Sequence, residues 1–203
     1  MVNKNNFFLC VFGPDGSGKS TVYSELVKIY NPDKISHFHW RPGLFPYKSK
    51  KSKGFVSAFN NPHQVKTKSL IKSFLILLYK YLDFVFGYFF KVKNKYREII
   101  YYERYFYDLI VDQKRYGIKV NPSIINFFSY FVKKPDLIII LDADSKILIE
   151  RKQELSLKEI ERQRILYKNS ITKFSKSLII NVENKTPKEV VEIILKTIKK
   201  NCE

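Results

Sequence analysis

The strongest chemical signal in the chain is one run of eight residues, Gly13-Pro14-Asp15-Gly16-Ser17-Gly18-Lys19-Ser20. It meets the pattern of two glycines five apart followed by Lys and Ser. Glycines let a backbone curl until successive N–H groups aim at phosphate oxygens, at the positive end of a following helix. In such a loop a lysine, here Lys19, neutralises β- and γ-phosphates, and a hydroxyl, here Ser20, ligates Mg²⁺. The nucleotide-binding set is therefore Gly13, Asp15, Gly16, Ser17, Gly18, Lys19, Ser20 and Thr21. Guanine specificity lacks support, because Asn184-Lys185-Thr186-Pro187 has no aspartate where a guanine reader needs one.

Arginine supplies the second signal. Of 37 basic residues only seven are Arg: 41, 97, 104, 115, 151, 162 and 164. A chain this rich in Lys keeps Arg where a planar five-donor fork is needed, as in bidentate contacts to phosphate or carboxylate. Asp108 and Asp112 stand four apart, on one face of a predicted helix, as candidates for binding acceptor hydroxyls. His37 and His39 share a strand face, but with no Cys or nearby acid at ligand spacing they do not make a zinc site.

These residues need positioning elements. The apolar run 7–12 reads as a buried parallel strand that stops at Gly13. Val22, Leu26, Ile29 and Tyr30 recur at helical spacing until Asn31-Pro32. Further strands are predicted at 35–40, 98–102, 137–141 and 177–182. Helices are predicted at 67–91, 105–116, 122–132, 145–153, 157–170 and 187–200, with Ser156 and Glu159 forming a capping box. Strands alternating with helices specify an α/β fold: one phosphate-loop domain over 1–203, with a five-stranded parallel sheet flanked by helices. A mobile basic loop is expected at about 44–65 and a helical lid at about 145–168. Asp15, Arg41, Glu103 and Asp142 each follow a predicted strand end, where ligands of such sheets gather.

Charge narrows the partners. The formal net charge is +18, and residues 34–97 hold fourteen basic side chains against one acid, Asp83. An anionic partner follows for that segment: a nucleotide, a sugar phosphate or a lipid headgroup. Nucleic acid is not expected, since no base-reading motif is present. Helix 67–91 cannot span a membrane, being interrupted by Lys72, Lys80 and Asp83. Packing into the core or against a second copy, and contact with an anionic membrane surface, stay open for it. Two cysteines and no signal-peptide pattern point to the cytoplasm.

At several points the residues resemble the thymidylate kinase family. The carboxylate at Asp15 two residues after Gly13, Arg41-Pro42-Gly43, Glu103-Arg104-Tyr105, Pro135-Asp136-Leu137, Glu150-Arg151-Lys152 and Arg162-Gln163-Arg164 carry the likeness. The match is nearest a divergent branch associated with surface-polysaccharide gene sets, through His39-Trp40-Arg41-Pro42-Gly43 and the run 104–112. Two departures stand out. Arg41 directly precedes Pro42 where thymidylate kinases insert a glutamate, and Glu103 replaces the usual Asp, as in deoxynucleoside kinases.

The resemblance implies a nucleoside/nucleotide-kinase-like fold and a Mg-ATP-dependent kinase with Mg²⁺ and ATP as cofactor and donor. The first expected acceptor is a nucleoside monophosphate, and a sugar or polysaccharide precursor is the second. It implies catalytic roles for Lys19, Glu103, Arg104, Arg151, Arg162 and Arg164, with Ser20 and Glu103 at the metal. Asp15, Arg41, Arg104, Asp108 and Asp112 are expected to bind the acceptor. The competing class is an ATP-binding regulatory or membrane-peripheral protein without transfer. Arg162 and Arg164 lie about 200° apart on a helix, so one of the two is expected to point inward.

Overall fold

The computed structural model describes residues 6–46, 68–93 and 98–202. Most of the basic loop expected at 44–65 lies outside them. Five strands form one parallel sheet: β1 (Phe7–Phe12), β2 (Ile35–Phe38), β3 (Ile99–Glu103), β4 (Leu137–Asp142) and β5 (Ser177–Asn181), in the order β2-β3-β1-β4-β5. β1 is central and wholly buried, which is why its sequence is an unbroken apolar run.

Alternation along β1 separates two cores. Phe8, Cys10 and Phe12 pack with Leu77, Phe84, Phe106 and Tyr167 on one face. Phe7, Leu9 and Val11 pack with Val22, Leu26, Val191 and Ile194 on the other. Helix α1 (Lys19–Ile29) and the C-terminal helix Pro187–Cys202 cover the second face. Helix α2 (Leu70–Gly87), followed by a widened turn over Tyr88–Val92, covers the first. Gly87 lets α2 approach the chain after β2, for a Cβ there would stand 2.5 Å from Pro42. Only part of α2 faces the core: Leu77 and Phe84 are buried, while Ile71, Leu75 and Phe86 face outward. Among the described residues no helix is long and apolar enough to cross a membrane.

The helix expected over 105–116 is the largest departure from the sequence reading. Only α3 (Asp108–Val111) is helical there, entered through tight turns from Asp108, Leu109 and Ile110 N–H to the carbonyls of Tyr105, Phe106 and Tyr107. The reason lies one residue before: Arg104 is left-handed, at φ 73°, and its N–H stays in the sheet on Val11 O at 3.0 Å. The chain thus leaves β3 by a corner. Helices α4 (Pro122–Ser129), α5 (Ser145–Arg151) and α6 (Leu157–Leu166) follow, and α7 is Pro187–Cys202. Ser156 caps α6 by accepting the Glu159 N–H at 3.3 Å, as its sequence position requires. Strand β2 ends at Phe38, two residues short of expectation, and frees His39 and Trp40 from the sheet.

Candidate active site

The loop between β1 and α1 closes around the Lys19 ammonium. Its Nζ donates to Gly13 O and Pro14 O, each at 2.8 Å, and to Ser17 Oγ at 3.4 Å. Burial and the nearby Arg104 bring the Lys19 pKa down to about 7, although Asp15 pulls the other way. Gly16 is needed at φ 83°, and a Cβ there would meet Leu148 O at 2.5 Å. The loop is therefore wedged against α5 with no room for a side chain.

Register does the next step. Val11 pairs with Glu103, so the carboxylate at the end of β3 lies beside the start of the loop. Ser20 Oγ donates to Glu103 Oε2 at 2.7 Å, and His37 Nε2 lies 2.9 Å from Oε1. His39 Nδ1 stands 3.6 Å from Oε2. Burial alone would raise the Glu103 pKa, but hydrogen bonds from His37, His39 and Ser20 hold it well below the usual carboxylate range. Glu103 is thus ionised across the physiological range.

A buried chain of ion pairs lies alongside. Arg104 donates to Asp15 Oδ1 at 2.6 Å and to Asp108 Oδ2 at 3.0 Å. Arg115 pairs with Asp15 and donates through Nε to Asp112 Oδ2 at 3.1 Å. Tyr116 and Tyr167 hydroxyls each donate to Asp108 at 2.6 Å, and Gln163 reaches Asp112 at 3.3 Å. Burial opposes ionisation of Asp15, yet Arg104, Lys19 and Arg115 keep its pKa well below normal.

The phosphate loop, Glu103 and the two arginines of that chain line one cleft of about 560 Å³. Asp15, His39, Glu103, Arg104 and Arg115 lie on its β2–β3 side. Across the loop, Arg151, Lys152, Val182, Lys185, Pro187 and Val190 form the β4–β5 side. Ser20 and Glu103 place two hard oxygens together beside the loop, a donor set that fits Mg²⁺ carried on a nucleotide. Among the described residues no group of three or more His, Cys, Asp or Glu is placed to hold a metal ion.

No protein-family model and no curated protein sequence matches the chain. Solved structures do match. A thymidylate kinase from Candida albicans is 18% identical, with TM-score 0.62 over 98% of this chain and 94% of that one. A deoxyadenosine kinase from M. mycoides is 18% identical, with TM-score 0.59 over 96% of this chain and 100% of that one. A thymidylate kinase from Ehrlichia chaffeensis is 17% identical, with TM-score 0.54 over 97% and 99%. The fold is that of the nucleotide kinases.

Within this nucleotide-kinase fold the expected site residues part company. Gly16, Ser17, Gly18, Lys19, Ser20 and Thr21 line the cleft, as do Asp15, Glu103, Arg104 and Arg151. Arg41 does not: it pairs with buried Asp83 at 3.1 Å and donates to Phe45 O at 3.3 Å. Asp108 and Asp112 are buried behind the arginines and do not line the cleft. Arg164 packs inward on Asp142 at 2.8 Å and on Ser145, while Arg162 turns to Glu159 and to Val111 O at 2.8 Å. Neither lines the cleft, and Arg151 reaches toward it with one bond to Val182 O at 3.4 Å.

Sequence reasoning missed Arg115 and the two histidines as site residues. Arg115 was marked only by the scarcity of arginine. His37 and His39 were marked by their shared strand face, a signal that points to a metal only if a third ligand is assumed. Their partner, Glu103, comes from the neighbouring strand.

Proposed function

We propose that the protein is a Mg-ATP-dependent phosphotransferase acting on a small acceptor of the nucleoside, nucleotide or sugar type. One observation carries the reading: in a single cleft, an ionised Glu103 meets the phosphate-loop hydroxyl of Ser20, with Arg104 and Arg151 alongside. The loop amides and Lys19 would bind the triphosphate, and Ser20 with Glu103 would hold the cation. Mg²⁺, when bound, neutralises charge on the phosphate oxygens.

The acceptor oxygen attacks the γ-phosphorus in line. The new O–P bond forms as the bond from γ-phosphorus to the β,γ-bridging oxygen breaks, and ADP leaves. For a hydroxyl acceptor, Glu103 orients the hydroxyl and takes its proton as the new bond forms. A carboxylate this acidic is a weak base, so that transfer is late, in keeping with a loose transition state. Arg151, on the β4–β5 side, stabilises charge on the transferring group. Arg104 fixes Asp15 and the corner after β3. The known acceptors of the structural neighbours include both a nucleotide and a nucleoside, by their names, which supports the same breadth here.

The test is transfer of labelled γ-phosphate from Mg-ATP, with Lys19→Ala as the blank. Transfer lost in Lys19→Ala and in Glu103→Gln supports the reading. ATP binding without transfer to any acceptor, unaffected by Arg151→Ala, would favour the regulatory alternative.

A further inference from the structure

The two sides of the cleft differ in charge. On the β4–β5 side Arg151, Lys152 and Lys185 are cationic, with Glu154 paired to Lys152 at 3.1 Å. Among the described residues, the β2–β3 side is not. Its two guanidiniums are already matched: Arg104 lies between Asp15 and Asp108, and Arg115 between Asp15 and Asp112. Three carboxylates, Asp15, Asp108 and Asp112, therefore serve two arginines, and Glu103 on the same side has partners of its own in His37 and His39. Arg41, the other arginine expected to clamp an acceptor anion, is held by Asp83. Lys80, a buried cation of the same region, does not line the cleft.

A phosphate group brought to this side would meet two guanidiniums whose charge the buried carboxylates behind them already match, with Asp15 and Glu103 exposed to the cleft beside them. It would have to displace an existing buried carboxylate to gain a bidentate arginine. A hydroxyl-bearing acceptor has no such conflict, because Asp15 and Glu103 offer acceptor oxygens, and Arg104 and Arg115 offer donors, to neutral polar groups. Building on the kinase reading above, we propose that the acceptor enters without a phosphate of its own, as a neutral polyhydroxylated molecule such as a nucleoside or an unphosphorylated sugar. The Asp108–Arg104–Asp15–Arg115–Asp112 chain is then a specificity device. It positions Asp15 toward the acceptor hydroxyls and cancels the charge that would otherwise recruit a phosphorylated competitor.

The experiment uses the full chain saturated with Mg²⁺ and a hydrolysis-resistant ATP analogue, so that the phosphate loop is filled. Orthophosphate and thymidine monophosphate are then titrated calorimetrically into wild type and into Asp112→Asn. In parallel, Mg-ATP turnover is compared within pairs that differ only by a phosphate: thymidine and its monophosphate, and hexoses and their 6-phosphates. The expected result is no phosphate binding at millimolar concentration in wild type, and a gain of about tenfold or more in Asp112→Asn, where Arg115 loses a counter-charge. In any pair that turns over, the neutral member is expected to be faster, and which pair responds separates nucleoside from sugar.

Tighter binding or faster turnover of the phosphorylated member overturns the proposal, and so does an Asp112→Asn protein that is folded by circular dichroism but no better at binding phosphate. Should Asp112→Asn fail to fold, the wild-type titration decides alone. Failure of the ATP analogue itself to bind is a separate result, which removes the kinase reading rather than the charge argument.

Discussion

Glu103 is held by three side chains, Ser20 of α1, His37 of β2 and His39 just after β2, and none of those contacts is implied by the sequence next to it. On the proposed mechanism, replacing its ionised oxygen by an amide in Glu103→Gln removes a charge at the cation and the proton acceptor together. The expected loss in kcat is about 10²–10⁴-fold, with nucleotide affinity held within a few-fold; coupled ADP release and analogue binding separate the two. Lys80 gives a second prediction. Its ammonium is buried, 4.2 Å from the centre of the Trp40 ring, and burial, with Arg41 and Lys68 nearby, brings its pKa from 10.5 to about 7. Below pH 7 both folded and unfolded chains carry this charge, and the fold bears the full cost of burying it. Between about 7 and 10.5 the unfolded chain keeps a proton the native chain has shed, so this group makes stability climb with pH across that window. Lys80→Met should therefore stabilise the protein most at pH 6, by about 1–3 kcal/mol once the lost cation–π contact is subtracted. The gap should close toward pH 10 in urea titrations. A gap that does not change with pH would contradict this.

Helix α2 and the chain after β2 show what was legible at the scale of elements. The strands were readable because burial on both faces leaves unbroken apolar runs, and the phosphate loop was readable because backbone demands fix glycine positions. The corner after β3 was not. Tyr105, Phe106, Leu109 and Ile110 suggest a helix by periodicity, but a left-handed Arg104 and the Asp108 contacts with Tyr116 and Tyr167 override it. Asp83 was equally opaque: the one acid in a basic segment reads only as an interruption of an apolar helix. In the fold it is wholly buried, accepting from Arg41 at 3.1 Å, Gly43 N–H at 3.2 Å and Phe45 N–H at 2.8 Å. Asp83→Ala strips these donors of their acceptor and leaves the Arg41 charge half-buried. The expected cost is about 3–5 kcal/mol by chemical denaturation. A loss below about 1 kcal/mol would mean that α2 does not pin this loop.

For the whole molecule, both helical layers and the phosphate loop rest on one sheet, so ligand binding at the loop should be felt in global unfolding. Mg-ATP at about a hundred times its Kd should add about 2.7 kcal/mol and raise Tm by about 5–10 °C, and Lys19→Ala should abolish the shift. How the candidate site assembles was hidden at this scale for a simple reason: Asp15 and Arg104 are 89 residues apart, Asp15 and Arg115 are 100 apart, and only the parallel register of β1 with β3 brings them together. The most direct test of the central claim is transfer of γ-phosphate from Mg-ATP across paired neutral and phosphorylated acceptors, with Lys19→Ala and Glu103→Gln as controls. The expected result is transfer to at least one neutral hydroxyl acceptor that both substitutions abolish. Transfer that survives Lys19→Ala, or firm Mg-ATP binding with no acceptor phosphorylated, would contradict it.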